Sequence, residues 1–128
     1  MKYSLRTPLS RARGLGSAKH GVGHFIQQRV TAIFLAFLLP WFGLSIILAT
    51  DGSFLSVQSW MRQPWNAAFT AFLILTGLYH MRLGLQVVIE DYISGPVPRS
   101  VSLLANTAIP AILAIIAMLC IAKVFVGA

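Results

Sequence analysis

A single histidine, His80, lies within residues 65–89, a stretch that is otherwise almost entirely apolar. If this stretch crosses a membrane, an ionisable side chain inside it is costly, so it faces protein, a cofactor or water instead of lipid. Neutral imidazole can hold a haem iron axially or relay protons. It can also form a hydrogen bond to a neighbouring helix. The position of His80 therefore leaves a cofactor, a proton path and a structural bond all open.

The residues after His80 continue its helix and place a glycine and a carboxylate on the same face. At 3.6 residues per turn, His80, Gly84, Val87 and Asp91 share one side. The rise of 1.5 Å per residue places His80 roughly 15 Å deeper than Glu90, near the middle of a bilayer. A glycine one turn from the histidine would let a flat ring or another helix approach closely.

Arg82 is a second costly side chain in the same stretch. Pairing with Gln86 or Glu90 on its own helix would satisfy it, as would extension of the guanidinium toward the nearer interface. A contact with an anionic group is the functional alternative. The face of Arg82 is about 160° from that of His80, which favours a structural or subunit-contact role.

Three residues near the membrane surface could serve a redox site. The phenol of Tyr92, at the end of the helix, could donate a hydrogen bond to a quinone carbonyl, and Asp91 could orient it or supply protons. Arg29 precedes the first apolar stretch, where it could meet a haem propionate or a quinone. A polar helix end and an interfacial anchor are the simpler interpretations of these residues.

The elements that must position these residues are membrane-spanning helices. The chain has 128 residues, of which 57% are hydrophobic and 10% charged, whereas soluble domains carry about 25% charged residues. Three apolar stretches are each long enough to cross hydrocarbon as a helix, at about 30–49, 65–90 and 101–123. We predict an all-α integral membrane protein that forms one domain, 1–128, whose first part is a basic cytoplasmic segment, 1–29.

The net charge of +7 is unevenly distributed. Six of the ten basic residues precede residue 30, namely Lys2, Arg6, Arg11, Arg13, Lys19 and Arg29. The positive-inside rule then predicts a cytoplasmic N-terminus. Basic and aromatic residues do not alternate as they do in proteins that bind single strands, so the charge predicts anionic lipid as a partner and no nucleic acid.

A haem held by two histidines needs a second ligand at the depth of His80. The other histidines, His20 and His24, precede the first apolar stretch and cannot reach that depth. The second ligand would then come from another polypeptide, with Met118 in the third stretch as a weaker alternative. Cys120 is the only cysteine, which excludes disulfides and iron–sulfur ligation within one chain. Three helices also enclose little interior, so partner helices are expected.

Two segments carry a resemblance to a known family. The sequence HMRLGLQVVIEDY, from His80 to Tyr92, resembles the haem-ligand helix of the smaller hydrophobic membrane-anchor subunit of succinate dehydrogenase, respiratory complex II. The sequence GHFIQQRVTAI, residues 23–33, is similar to the family's entry to its first helix, with its Arg-x-Thr-Ala pattern. The resemblance covers nearly the whole chain.

The resemblance implies roles for four residues. His80 would be one axial ligand of haem b, and the larger cytochrome b anchor subunit would supply the other. Tyr92 would form a hydrogen bond to ubiquinone, with Asp91 beside it, and Arg29 would lie near the haem propionates and the quinone pocket. His24 stands where some members carry a His-Asp pair, and it receives no role.

The resemblance also implies partners and a location. A flavoprotein subunit would oxidise succinate and an iron–sulfur subunit would deliver the electrons, so this chain would be a non-catalytic subunit in a bacterial inner membrane, a mitochondrial one being less favoured. A fumarate-reducing complex is the nearest variant. The rival hypotheses are a small transporter or channel, with His80 and Arg82 lining a polar path, and an assembly factor in which His80 only joins two helices.

Overall fold

The computed structural model describes Thr7, Leu9 and residues 19–127, and four α-helices account for most of them. The helices are α1 (Lys19–Ala49), α2 (Phe54–Met61), α3 (Pro64–Tyr92) and α4 (Pro96–Val126). Three of them are long and apolar enough to cross a membrane, over Gly21–Ala49, Pro64–Tyr92 and Pro96–Val126. No strand occurs among the described residues. The prediction of an all-α protein with three membrane spans is confirmed.

Proline and glycine mark the ends of the helices. Pro64 and Pro96 stand in the first turns of α3 and α4, where a missing N–H costs nothing because it would have no partner within the helix. Gly95 has φ +109 and Gly127 has φ +84, conformations that L side chains rarely adopt. Gly95 thus permits the short turn between α3 and α4, and Gly127 ends α4 in a left-handed cap.

The expected helix bounds were too short. α1 begins at Lys19 instead of about residue 30, and α4 covers Pro96–Val126 instead of about 101–123. The prediction followed the uncharged stretches, but helical hydrogen bonds continue into polar sequence beyond the hydrocarbon. The C-terminal part of the expected basic segment 1–29 is therefore the first part of α1, and its residues before Lys19, apart from Thr7 and Leu9, lie outside the described residues.

The long helices form a layer with α3 in the middle. α1 and α4 both pack on α3 and make no contact with each other within the described part of the chain. Small and medium side chains on α3 are buried in these two seams (Ala67, Thr70, Leu73, Thr76 and Leu83). At Gly77 α3 lies against α1, since a Cβ there would be 3.9 Å from Leu35 Cδ2, an ordinary van der Waals contact. The layer leaves long apolar faces exposed on both sides.

The sequence between α1 and α3 predicts a loop, residues 50–64, and Trp60 and the adjoining Trp65 are of a type that commonly forms an aromatic belt at the outer membrane interface. It contains α2, and Trp60 is only 6% exposed whereas Trp65 is 76% exposed. The Trp60 ring lies 6.1 Å from Trp41 and 5.9 Å from Phe42, centroid to centroid. Trp60 therefore belongs to an aromatic cluster that joins α2 to α1, and the belt interpretation is wrong for it.

Candidate functional site

His80 is half-buried in the seam between α1 and α3. Its Nδ1 lies 2.8 Å from the Oγ1 of Thr31, a buried residue of α1. The Thr31 hydroxyl also lies 2.8 Å from the carbonyl oxygen of Gln27 and 3.1 Å from that of Gln28. One ring nitrogen of His80 is thus held by the neighbouring helix, and Nε2 is the nitrogen left for another ligand.

The contact with Thr31 shows at which level along the helices His80 lies. Thr31 follows Arg29 by two residues and lies at the start of the uncharged part of α1, whereas His80 lies close to the middle of α3. Tyr79, next to His80, donates from its phenol to Gln27 Oε1 at 3.0 Å. His80 is therefore level with the first apolar turn of α1. It lies toward the end at which α1 begins and α3 ends, which we call the basic end.

The face of α3 beside His80 is open one turn toward the basic end. Within the described part of the chain, a Cβ placed on Gly84 would meet no atom within 4 Å. Because residues four apart lie above one another on a helix, this space adjoins the His80 ring. The structure thus shows the free approach to α3 that the sequence indicated, which a flat ring or another helix could use.

His24 stays separate from His80. It lies on the same face of α1 as Thr31, seven residues earlier and hence about 10 Å closer to the basic end. Its Nε2 is buried and has no hydrogen-bond partner among the described residues. His20 lies a further turn away. An iron with two imidazole ligands needs one nitrogen of each ring at bonding distance. Both histidines of α1 lie too far along the helix from the level of His80 to act as the second ligand.

Arg82 lies on the other side of α3. It lines a groove between α3 and α4 together with Tyr79, Thr107 and Pro110. Its Nε is buried without a hydrogen-bond partner among the described residues. Among the described residues Arg82 forms no bond to Gln86 or Glu90, and those two residues bond each other, with Gln86 Nε2 donating to Glu90 Oε1 at 2.9 Å.

The transporter hypothesis requires His80 and Arg82 to line one path. His80 contacts α1, whereas Arg82 faces the groove beside α4. Because the two residues are two positions apart on one helix, their side chains are separated by about 160° around its axis. The two side chains lie on opposite sides of α3, which argues against a common path through this chain.

Arg29 does not approach His80 within the chain. Its side chain is exposed, and its guanidinium carbon lies 5.0 Å from the centroid of the Phe25 ring, a cation–π contact with the preceding turn. Arg29 precedes Thr31 by two residues and so points to the opposite side of α1. Any anion that it meets must come from outside the described part of this chain.

Asp91 and Tyr92 end α3 at the basic end. Both are exposed, Tyr92 to 83%. Eleven and twelve residues of helix separate them from His80, about 16 to 18 Å along the axis. The structure therefore divides the expected site residues into an inner position, at His80, and a surface position at the end of α3.

The residue set limits the kinds of metal centre that this chain can hold. No group of three or more His, Cys, Asp or Glu side chains able to bind a metal ion occurs among the described residues. One half-buried histidine beside an open helix face instead suits a prosthetic group that brings its own equatorial ligands, such as haem. The residue that sequence reasoning missed is Thr31, which was noted only as part of the Arg-x-Thr-Ala pattern.

Known proteins similar to this chain agree on one family. Residues 4–122 match the succinate dehydrogenase/fumarate reductase transmembrane subunit family. Proteins named succinate dehydrogenase hydrophobic membrane anchor subunit are similar over most of their length. The protein from Rickettsia bellii is 41% identical over 95 residues, covering 73% of this chain and 75% of the relative. The protein from Paracoccus denitrificans is 33% identical over 89 residues, covering 70% of this chain and 69% of the relative.

No solved structure matches the chain. The family match extends over all three long helices, including Arg29, Thr31, His80 and Tyr92. The recognition made from the segments 23–33 and 80–92 is thereby confirmed. This chain belongs to the succinate dehydrogenase/fumarate reductase transmembrane subunit family.

Proposed function

We propose that this chain is the membrane-anchor subunit of a succinate:ubiquinone oxidoreductase, in which it supplies one axial ligand of haem b and part of the ubiquinone-reduction site. The observation that carries the proposal is His80, half-buried between two spans, with Nδ1 held by Thr31. The relatives named as succinate dehydrogenase anchor subunits support the same function.

The residues around His80 suit a haem. Imidazole is a common axial ligand, and a hydrogen bond from its other nitrogen is the usual way in which a protein orients it. The missing side chain at Gly84 leaves room on the helix face one turn away. When bound, haem supplies one-electron redox chemistry. His80 would hold it, and the apolar side chains of α3 would exclude water from it.

The second axial ligand would come from the larger cytochrome b anchor subunit. His24 lies about 10 Å from the level of His80 along α1, and the layer of helices leaves large apolar side chains exposed. Faces of this size are usually covered by lipid or by other helices. The flavoprotein and iron–sulfur subunits would complete the complex and carry out succinate oxidation, so that this chain is a non-catalytic subunit.

The end of α3 would contribute to the quinone site. The exposed phenol of Tyr92 can donate a hydrogen bond to a quinone carbonyl, and the carboxylate of Asp91 beside it can accept or return a proton. Arg29 is exposed on the side of α1 away from His80, where it would meet the haem propionates or the quinone at the boundary with a partner subunit. The positive-inside rule then places this end on the cytoplasmic side of a bacterial inner membrane.

The test is to purify the tagged chain with its native partners in mild detergent and record a reduced-minus-oxidised spectrum. We expect a b-type signal together with flavoprotein, iron–sulfur and cytochrome b subunits. His80→Ala should abolish that signal, while the matched variant His24→Ala keeps it, with equal subunit ratios in both. A complex that lacks b-type absorbance, or that retains it in His80→Ala, would overturn the haem assignment.

A further inference from the structure

The hydrogen bond between Thr31 and His80 decides which imidazole nitrogen can bind a metal. Neutral imidazole carries one N–H, and the nitrogen without it holds the lone pair that a metal needs. Oγ1 of Thr31 lies 2.8 Å from His80 Nδ1. Which of the two atoms donates depends on where the single hydroxyl proton of Thr31 points.

The hydroxyl proton of Thr31 has other acceptors on its own helix. The carbonyl oxygens of Gln27 and Gln28 lie 2.8 and 3.1 Å from Oγ1, and a threonine in a helix commonly donates to the carbonyl three or four residues earlier. If the proton goes there, Oγ1 accepts from Nδ1–H and both hydrogen bonds form. If the hydroxyl donated to Nδ1 instead, the bond to the carbonyl would be lost.

We infer that Thr31 is the positioning residue that holds His80 in the Nδ1–H tautomer and turns Nε2 toward the iron. The inference rests on the proposed function for the identity of the metal, but the tautomer follows from this chain alone. The hydrogen bonds then form one chain in which His80 Nδ1–H on α3 donates to the Thr31 hydroxyl oxygen on α1, and that hydroxyl donates to the carbonyl of Gln27. The Thr31 side chain is buried, which shields its Oγ1 from water.

The Thr31 hydroxyl, as a neutral hydrogen-bond acceptor, should change how strongly the His80 imidazole donates to iron. Hydrogen bonding at the non-ligating nitrogen raises imidazole basicity, and stronger donation stabilises ferric iron. Thr31→Val removes the acceptor and preserves the branched shape of the side chain, so it should lower haem affinity by about 10- to 100-fold. It should also raise the midpoint potential. Thr31→Ser retains the hydroxyl and should restore both properties.

The experiment compares purified complexes carrying Thr31→Val, Thr31→Ser and Thr70→Val, measuring haem per complex and midpoint potential. Thr70 is the matched control, because it is 3% exposed on α3 and its Oγ1 has no hydrogen-bond partner among the described residues. Thr70→Val should leave haem content and potential unchanged. Unchanged haem and potential in Thr31→Val, or equal losses in the serine and valine variants, would overturn the inference.

A second readout separates this inference from the proposed function. In the full chain labelled with ¹⁵N-histidine in micelles without haem, the ring shifts of His80 should report the Nδ1–H tautomer. In Thr31→Val they should report a mixture. Absence of haem from the wild-type complex would contradict the proposed function. Protonation of the wild-type His80 ring at Nε2 would instead contradict this inference.

Discussion

Asn106 on α4 donates a 2.9 Å hydrogen bond from Nδ2 to the backbone carbonyl oxygen of Arg82 on α3. Asn106 is only 7% exposed. The bond lies two residues from His80, whose ring is held from the opposite side by Thr31. α3 is therefore tied to both of its neighbours at nearly one level, and the two bonds together fix the depth at which His80 lies.

Asn106→Ala should weaken the packing of α4 on α3. Hydrogen bonds between membrane helices contribute about 0.6 kcal/mol on average, and loss of the buried side chain adds to this, so we expect about 1 kcal/mol of destabilisation. Unfolding of the chain by increasing SDS would measure it. Thr107→Val is the control, because Thr107 is exposed and bonds the Leu103 carbonyl of its own helix. Equal stabilities of the Asn106→Ala variant and the wild-type chain would contradict this assignment.

Gly84→Leu should reduce haem content without unfolding the chain. A Cβ at Gly84 would meet no atom within 4 Å among the described residues, so we expect a larger side chain to be tolerated and to fill the space beside His80. Gly43→Leu is the matched control, since Gly43 on α1 is also open and lies about 18 Å along α1 from Thr31. Haem absorbance per folded complex is the measurement. Full haem content in Gly84→Leu would show that the ring does not use this face.

Tyr92→Phe should slow quinone reduction while haem content stays normal. The variant removes only the phenolic hydroxyl, and Tyr92 lies about 18 Å from His80 along α3. Succinate-dependent reduction of a soluble ubiquinone analogue gives the rate, which we expect to fall at least about tenfold if the hydroxyl acts as a proton donor. Tyr79→Phe is the control, because that phenol already bonds Gln27. Loss of haem with intact quinone turnover in Tyr92→Phe would contradict the assignment of Tyr92 to the quinone and of His80 to the haem.

The sequence was informative for features that depend on one helix alone, namely the positions of the spans and the faces of each helix. Long apolar stretches with few charges locate the three spans because each unpaired charge in hydrocarbon is costly. The same logic set the start of α1 at about residue 30, although the helix extends back to Lys19. Helix periodicity also separated the faces of His80 and Arg82 correctly, since both residues belong to one helix.

Contacts between helices were beyond the reach of the sequence. Nothing in the neighbourhood of Thr31 identifies His80, forty-nine residues away, as its partner, because the pairing depends on the relative shift and rotation of two spans. Trp60 was misjudged for a related reason. A tryptophan near a span end fits an interfacial belt, and only the packing of α2 against Trp41 and Phe42 shows it to be buried.

The turn between α1 and α2 should respond to acid. Hydrogen bonds from the hydroxyls of Ser53 and Ser56 and from the Ser53 backbone N–H lower the pKa of Asp51 to about 2, from an ordinary value of 3.8. The carboxylate thus stabilises the start of α2 above about pH 4, and this effect is lost as the pH falls toward 2.

Pepsin, which cleaves at these pH values, provides the measurement. Cleavage near Asp51 should accelerate between pH 4 and 2 in the wild-type chain, whereas Asp51→Asn should be cleaved readily across the range. Normalising to the rate on an unfolded peptide corrects for the activity of the protease itself. A wild-type rate that tracks the peptide throughout would show that the carboxylate does not hold this turn.

Trp60→Ala should destabilise the chain without changing the haem ligand. The side chain packs on Trp41 and Phe42 of α1, and Trp41 in turn contacts Phe69 of α3, at the end of the layer away from His80. Truncating a buried aromatic residue to alanine costs about 3 to 5 kcal/mol in well-packed proteins. Trp65→Ala is the control, since that ring is 76% exposed. SDS unfolding should show a large loss only for Trp60→Ala, and the folded fraction should retain its b-type spectrum. A haem defect in that folded fraction would mean that the junction also sets the position of α3 at His80.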